Sequence, residues 1–507
     1  MTSPGRLWRR LRLPPGVLFL LFSVPVLLWL LLPGATAAVF TPSTAVRQAY
    51  EPGEWESFPV TRYARQVVPG VRWVGVLNES GVLFFDRLRR EWRPPLTPSD
   101  GLPPGRPLGL WREENGLFRY ITASDQVAIE PGTGRVNPAF PRSPPAIERA
   151  QLPDNVYSDP AWQYLPGGRL AGPAGEVAVI TDSRLDDEGS IWITTMGLGV
   201  GRITGRTLRL AMFPYGLWYP EVRALLRVGD RLLAGGYGLT PEAGGLTEWR
   251  LTTGEWIWTR AFDTPGLLSD RITALAHDET GLWLATDAGL AHRDRRGRWT
   301  SRSSAGLPDP RVTSLAADDG VLWVGTMGGA AVAAADSQTG LALLAGIRVN
   351  DLVAGAGAVW WATESGAWVW NGTWPDGRLE RVEHPGGRLA GPIDAVCTRG
   401  DTVWWAGSGG ITAGRHPAGE WLAVPDAGPF LPGEITDLAA DDANLWVTTF
   451  RGVWRLIRST GTWHLYTCRE GLLDDRVWQV VPEGEVVWFG TAGGLTRFAW
   501  RRRRLQP

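Results

Sequence analysis

Short apolar runs rich in β-branched and aromatic residues, bounded by Gly and Asp turns, recur along the chain from about residue 50 to residue 500. Runs of this kind predict β-strands. Aligned on itself, the chain shows IWITTMGLG from Ile191, LLAGGYG from Leu232, LWLATDAGL from Leu282 and LWVGTMGGA from Leu322. The series continues with VWWATESGA from Val359, VWWAGSGGI from Val403, LWVTTFRGV from Leu445 and VWFGTAGGL from Val487. The anchors of these eight clear copies, Trp192, Leu232, Trp283, Trp323, Trp360, Trp404, Trp446 and Trp488, stand 37 to 51 residues apart. RWVGVLNESG from Arg72 and LGLWREENG from Leu108 are two weaker copies.

Each unit holds more than its anchor strand. A strand ending in an acidic turn precedes it, as in ITALAHDETG from Ile272, a third follows the Gly, and a fourth appears in GEWIWTRAF from Gly254 and GTWHLYTC from Gly461. Four strands per unit make a β-propeller blade. The fold expected is all-β, a propeller of about 8 to 10 four-stranded blades. The Trp-x-x-Thr-x-x-Gly signature reads as its skeleton: the Trp wedges between blades, the Gly closes a hairpin, and the turn Asp caps turn amides. The segment from Gly53, GEWESFPV, matches a fourth strand with no first three before it, and the chain ends after a second and third strand with no fourth. The N-terminal strand is therefore expected to complete the last blade and remove the open edge. One ring of about ten blades follows, unless the Gly53 segment pairs locally and only the eight clear copies close. Ten lies above the usual four to eight.

Residues 142–175, rich in Pro and Gly, lengthen the step from Leu110 to Trp192 to about two repeats, so they hold an insertion or a worn-down blade. GGRLAGP occurs at Gly167 and again at Gly386, which favours repeat material there. At the N-terminus, Arg6, Arg9, Arg10 and Arg12 precede the apolar run Leu13 to Leu32, followed by Ala35-Thr36-Ala37. Residues 1–40 read as one export helix, either a cleaved signal peptide or a retained membrane anchor, which places residues 50–500 in the extracytoplasmic cell envelope. Residues 501–507 form an Arg-rich tail.

Composition narrows the chemistry. The 29 Trp and 64 Gly suit many short strands, and all 51 basic residues are Arg, which excludes lysine nucleophiles and Schiff bases. A net charge of -1 argues against a nucleic-acid partner. Export permits a disulfide, but Cys397 and Cys468 lie in different repeats and spacing does not decide whether they pair.

The recurring pattern D-x-x-G-x-[LI]-W-[VIL]-x-T-x-x-G-[LV], with leads such as GLPDPRVTSLAAD from Gly306 and GLLSDRITALAHD from Gly266, resembles the two-component regulator propeller repeat. It is less similar to the streptogramin lyase propellers. The first resemblance implies an extracytoplasmic sensor for a small molecule, a carbohydrate or an anion, or a partner of a membrane signalling protein. The chain carries no kinase or DNA-binding segment before its last residue, Pro507. A ligand-binding or interaction propeller is the function expected, with no cofactor; a propeller lyase or hydrolase with its site at the channel mouth is the alternative.

Loops on a rigid scaffold carry function. The loops entering each first strand and those joining strands two and three open on one face. They offer Arg106, Asp270, Arg271, Arg311, Asp475 and Arg476 from the first set and Asp287, Glu364 and Arg451 from the second. These nine residues either form a charged ring that binds a carboxylate or sugar hydroxyls through Arg forks, or pair with one another to tie the blades. The five histidines, His277, His292, His384, His416 and His464, are scattered, and no HxxxH, CxxC or GxSxG spacing marks a catalytic or metal site.

Overall fold

A computed structural model describes residues 54–501, apart from 104, 147, 159–161, 173–174, 240–243, 303–305, 335–340, 426–429 and 431–432. The expected export helix and most of the Arg-rich tail lie outside the described residues. Ten antiparallel sheets account for nearly all of the secondary structure, nine of them four-stranded and one six-stranded. In chain order they are blades 1 (64–92), 2 (109–138), 3 (180–213), 4 (224–259), 5 (272–302), 6 (312–343), 7 (349–381), 8 (393–422), 9 (435–466) and 10 (477–498). The N-terminal strand Trp55–Pro59 pairs antiparallel with Gly494–Phe498 and supplies the missing fourth strand of blade 10.

The signature residues do what their chemistry predicts. Trp283 packs with blade 6, Trp323 with blade 7, Trp360 with blade 8, Trp404 with blade 9 and Trp446 with blade 10, each almost fully buried. At four anchors the acidic turn accepts the indole N–H: Trp192 Nε1 donates to Asp186 at 3.0 Å, Trp283 to Asp278 at 2.7 Å, Trp446 to Asp441 at 3.0 Å and Trp488 to Glu483 at 3.1 Å, while Trp360 donates to the Gly355 carbonyl at 3.0 Å. Asp278 Oδ1 also caps the turn, accepting from the amides of Thr280 at 2.7 Å and Gly281 at 3.0 Å. The signature Thr spans the hairpin. Thr286, Thr326, Thr363, Thr449 and Thr491, all fully buried, donate to the carbonyls of Gly289, Gly329, Gly366, Gly452 and Gly494 at 2.6–2.9 Å. At Gly494 φ is 143° and a Cβ would stand 2.5 Å from the Phe58 carbonyl, so the closing strand requires glycine there.

A β-bulge begins the first strand of blades 1, 3 and 5 to 10 and turns the bulged side chain toward the following blade. Thr273 donates to the Val312 carbonyl at 2.6 Å, Thr313 to Val349 at 2.8 Å, Asn350 to Ile393 at 2.7 Å and Thr436 to Val477 at 2.5 Å. These bonds link blades 5 to 8 in turn and blade 9 to blade 10, blade 8 packs on blade 9 through a shared core, and blade 10 then meets blade 4. Val222 N donates to the Thr491 carbonyl at 2.9 Å, Leu225 N donates to Gln479 Oε1, and Arg227 Nε donates to Glu483 Oε1 at 2.9 Å. Blades 4 to 10 therefore close a seven-bladed ring, within the usual range.

The ten blades expected are present, but not in one ring. Blades 1 to 3 form a separate sector in the spatial order 3, 1, 2. Thr181 of blade 3 donates to the Ala64 carbonyl of blade 1 at 2.7 Å, and Gln66 of blade 1 exchanges two bonds with the backbone of Leu110 in blade 2 at 2.7 and 3.0 Å. This sector enters the chain between the closing strand of blade 10 and the first strand of blade 4. The stretch 142–175 is an insertion: the hairpin Gln163–Leu165 and Arg169–Ala171 adds to the edge of Val177–Leu185 and supplies two further strands, which makes that sheet six-stranded. Residues 148–151 run beside the same strand, with Ala150 N on the Ser183 carbonyl at 2.9 Å, and line a cavity of about 640 Å³ among the three first strands.

One aromatic core joins sector and ring. It runs from Phe85 and Trp92 of blade 1 through Tyr215 to Trp256 and Trp249 of blade 4, then to Phe58 and Trp488 of blade 10, with neighbouring rings 4.6–5.8 Å apart. Cys397 and Cys468 are both buried and free.

Candidate functional site

All seven first strands of the ring begin on one face, so the entering loops and the hairpins between strands two and three surround its mouth. Ring closure brings blade 10 beside blade 4 there. The guanidinium of Arg223, one residue before the first strand of blade 4, lies 3.7 Å from the Trp478 ring of blade 10 and 4.3 Å from the Tyr237 ring. Arg271 of blade 5 packs on the same Tyr237 ring at 4.2 Å, and Phe450 of blade 9 meets Trp478 edge-on at 5.1 Å. The result is a continuous row of Arg271, Tyr237, Arg223, Trp478 and Phe450 across four blades. Cations stacked on aromatic faces gain about 0.5–2 kcal/mol each, more where water is excluded.

The donors of this row are only partly used. Arg223 Nη2 donates to Glu221 at 2.9 Å, and Arg271 donates to the Gly238 carbonyl at 2.7 Å and pairs with Asp287 at 3.0 Å. Arg223 Nε and Trp478 Nε1 are buried and have no acceptor among the described residues. Burial, with the charge of Glu221 and the nearby Tyr63, raises the Tyr219 phenol against the opposing pull of Arg223 and Arg271. Tyr219 thus belongs to the same cluster.

The nine residues expected at the mouth take different places. Arg271 and Asp287 pair within the row. Arg311 makes a two-toothed pair with Asp309 at 2.9 and 2.6 Å, Arg451 pairs with Glu434, one contact at 2.9 Å, and Arg476 pairs with Asp474 at 3.2 Å. Glu364 accepts from Arg348 N at 3.1 Å. Asp270 is buried, accepts from Ala261 N at 2.7 Å, and has its pKa raised by that burial. Asp475 accepts from Cys468 N at 2.6 Å. Arg106 is exposed on blade 2, outside the ring. Local pairing is thus the common arrangement, and only Arg271 with Asp287 joins the aromatic row.

Arg223, Tyr237, Trp478 and Phe450 are absent from the sequence expectation. A signal for them exists. The second residue of the first strand is Thr, Asn or Asp in blades 5 to 9 but Trp478 in blade 10, and Arg223 holds the equivalent place just before the first strand of blade 4. Tyr237 lies in the one copy whose anchor is Leu, and Phe450 holds the hairpin position of Asp287 and Glu364. Departures from the repeat, rather than its recurring residues, mark the mouth.

Two buried carboxyls lie deeper in the ring. Asp351 accepts from Val396 N and Asp437 from Val480 N, both at 2.9 Å, each tying its blade to the next. Burial lifts Asp351 to about 6, and burial with the charge of Asp351 lifts Asp437. Among the described residues no three His, Cys, Asp or Glu side chains converge to hold a metal.

No family model and no curated protein matches the chain. Solved structures share its fold. The chain is similar to PorZ, an essential bacterial surface component of the type-IX secretion system of Porphyromonas gingivalis, with a TM-score of 0.57 and 14% identity over 88% of this chain and 87% of that one. It is more distantly similar to the extracellular domains of two hybrid two-component systems of B. thetaiotaomicron. BT4673 gives a TM-score of 0.46 and 16% identity over 88% of this chain and 71% of that one; BT3049 gives 0.46 and 16% over 85% and 60%. The fold is that of a β-propeller.

Proposed function

We propose that the chain is an extracytoplasmic sensor propeller that captures a small carbohydrate or anionic ligand on the row Arg271, Tyr237, Arg223, Trp478 and Phe450. The observation that carries this reading is the stack of guanidinium and aromatic faces where blade 10 meets blade 4, in which Arg223 Nε and Trp478 Nε1 are buried with no acceptor among the described residues. Buried donors are nearly always satisfied, and leaving one unmade costs about 1–3 kcal/mol. A ligand hydroxyl or carboxylate would supply the acceptor, and the flat rings would stack on its apolar face. The export segment read in residues 1–40 and the surface location stated for PorZ, whose fold is shared, both fit an extracytoplasmic role.

The test is a binding screen against a panel of neutral and acidic oligosaccharides, followed by calorimetry. Arg223→Ala and Trp478→Ala are expected to weaken any ligand found at least tenfold, with the melting temperature nearly unchanged. Unchanged affinity in both variants would remove the mouth as the site.

A further inference from the structure

A second cluster lies beside the aromatic row, where the three-bladed sector joins the ring. Arg62 comes from the segment between the closing strand and blade 1, Trp218 from the segment between blades 3 and 4, and Arg260 follows the last strand of blade 4, Glu255–Thr259. The Trp218 ring, 5% exposed, carries both guanidiniums, Arg62 at 3.9 Å and Arg260 at 4.9 Å. Arg62 is held by donation to the Gly197 carbonyl at 3.2 Å and to the Tyr63 hydroxyl at 2.8 Å. Arg260 has one long ion pair, to Asp270 at 3.5 Å. In both arginines Nε is buried and lacks an acceptor among the described residues.

Two carboxylates, Asp270 and Glu176, face these two cations, but they engage them loosely. Glu176 approaches the seam, yet its Oε2 is buried without a donor and makes no ion pair among the described residues. Burial lowers the pKa of Arg62 first of all and the charge of Arg260 lowers it further, while Tyr63 and Glu176 act the other way. Two desolvated cations side by side are costly unless an anion lies between or beside them. Guanidinium offers Nε–H and Nη–H in a planar fork that fits oxyanions.

We propose that Arg62 and Arg260, stacked on Trp218, form a binding site for a small oxyanion (a carboxylate, sulfate or phosphate) that ties the three-bladed sector to the ring. The site adjoins the aromatic row but shares no residue with it, so the two readings are tested by different variants. Because the oxyanion competes with Glu176 for the same cations, removal of that carboxylate strengthens binding.

The experiment uses the whole chain and follows the melting temperature and calorimetric binding during titration with sodium sulfate, phosphate or citrate, each against sodium chloride at equal ionic strength. A saturable rise above chloride is expected for at least one of the three, and which one responds identifies the class. Arg62→Lys and Arg260→Lys keep the charge and remove Nε; each is expected to weaken binding at least tenfold. Glu176→Gln is expected to tighten it several-fold, and Arg298→Ala, an exposed arginine elsewhere, to leave it unchanged. If Arg62→Lys fails to fold, Glu176→Gln and Arg260→Lys carry the test. No saturable effect beyond chloride, equal affinity in Arg260→Lys, or weaker binding in Glu176→Gln would overturn the proposal.

Discussion

An indole N–H wedged between two blades has no water to bond with, and the turn carboxylate before it must serve instead. Burial alone would raise the pKa of Asp278, but bonds from Thr280, from the Trp283 indole and from the turn amides hold it below the ordinary value. Asp278→Ala leaves these donors without their acceptor and is expected to cost about 1–3 kcal/mol by urea unfolding. The lowered pKa gives stability at neutral pH that is lost as pH falls through the folded value. Asp351 works in the opposite sense. Its folded pKa of about 6 lies above the ordinary 3.8, so the folded state holds its proton longer and the contribution of this group is lost as pH rises from 3.8 through about 6. Asp351→Asn is therefore expected to flatten the fall in stability over that interval, measured as denaturation midpoints against the unaltered chain; an identical slope in the two proteins would contradict the assignment. The role of the turn Asp was legible in the sequence because an acidic turn recurs before most of the anchors. The row at the mouth was legible only at Arg271; Arg223 and Trp478 hold positions where blades 5 to 9 carry Thr, Asn or Asp, and only their meeting in space gives them a common purpose.

Among the elements, the strand Trp55–Pro59 carries the most consequence for its size. Trp55 stacks on Phe498 at 4.0 Å with the planes 10° apart, and also touches Tyr466 of blade 9. Trp55→Ala is expected to cost about 3–5 kcal/mol, as large core truncations do, and to open the edge of Gly494–Phe498 to exchange with deuterium before the other blades. A variant with the hydrogen-exchange pattern of the unaltered chain would show that closure does not depend on this strand. Its pairing was readable because a fourth strand without a first three, at one end, matched a blade lacking its fourth at the other. The insertion at 142–175 was harder to resolve: GGRLAGP at Gly386 leads directly into blade 8, while its copy at Gly167 contributes to an added hairpin. The described residues 167–172 differ in structure from their counterparts 386–391 because the strand Val177–Leu185, beside the first copy, is long enough to accept another partner along its edge.

At the scale of the molecule, the same bulge and the same side-chain-to-carbonyl bond link blades in both the ring and the three-bladed sector, which is why the repeat could be counted in the sequence but not grouped. The grouping depends on which blade follows blade 10, and that contact joins residues more than 250 positions apart, as in Leu225 with Gln479. The core from Phe85 to Trp488 is continuous from sector to ring, so the two are expected to unfold in one calorimetric transition. Tyr215→Ala, which removes the ring linking blade 1 to blade 4, is expected to split it in two. Closure of blade 10 onto blade 4 also creates the mouth, since Arg223 and Trp478 meet only across that junction. The most direct test places spin labels at Arg227→Cys and Glu483→Cys, with the buried Cys397 and Cys468 left in place, and measures the distance between them by pulsed electron resonance. A seven-bladed ring predicts one narrow distribution at the short limit of the method. A long distance spanning three intervening blades would mean a single ten-bladed ring, and with it the loss of the Arg223 and Trp478 site.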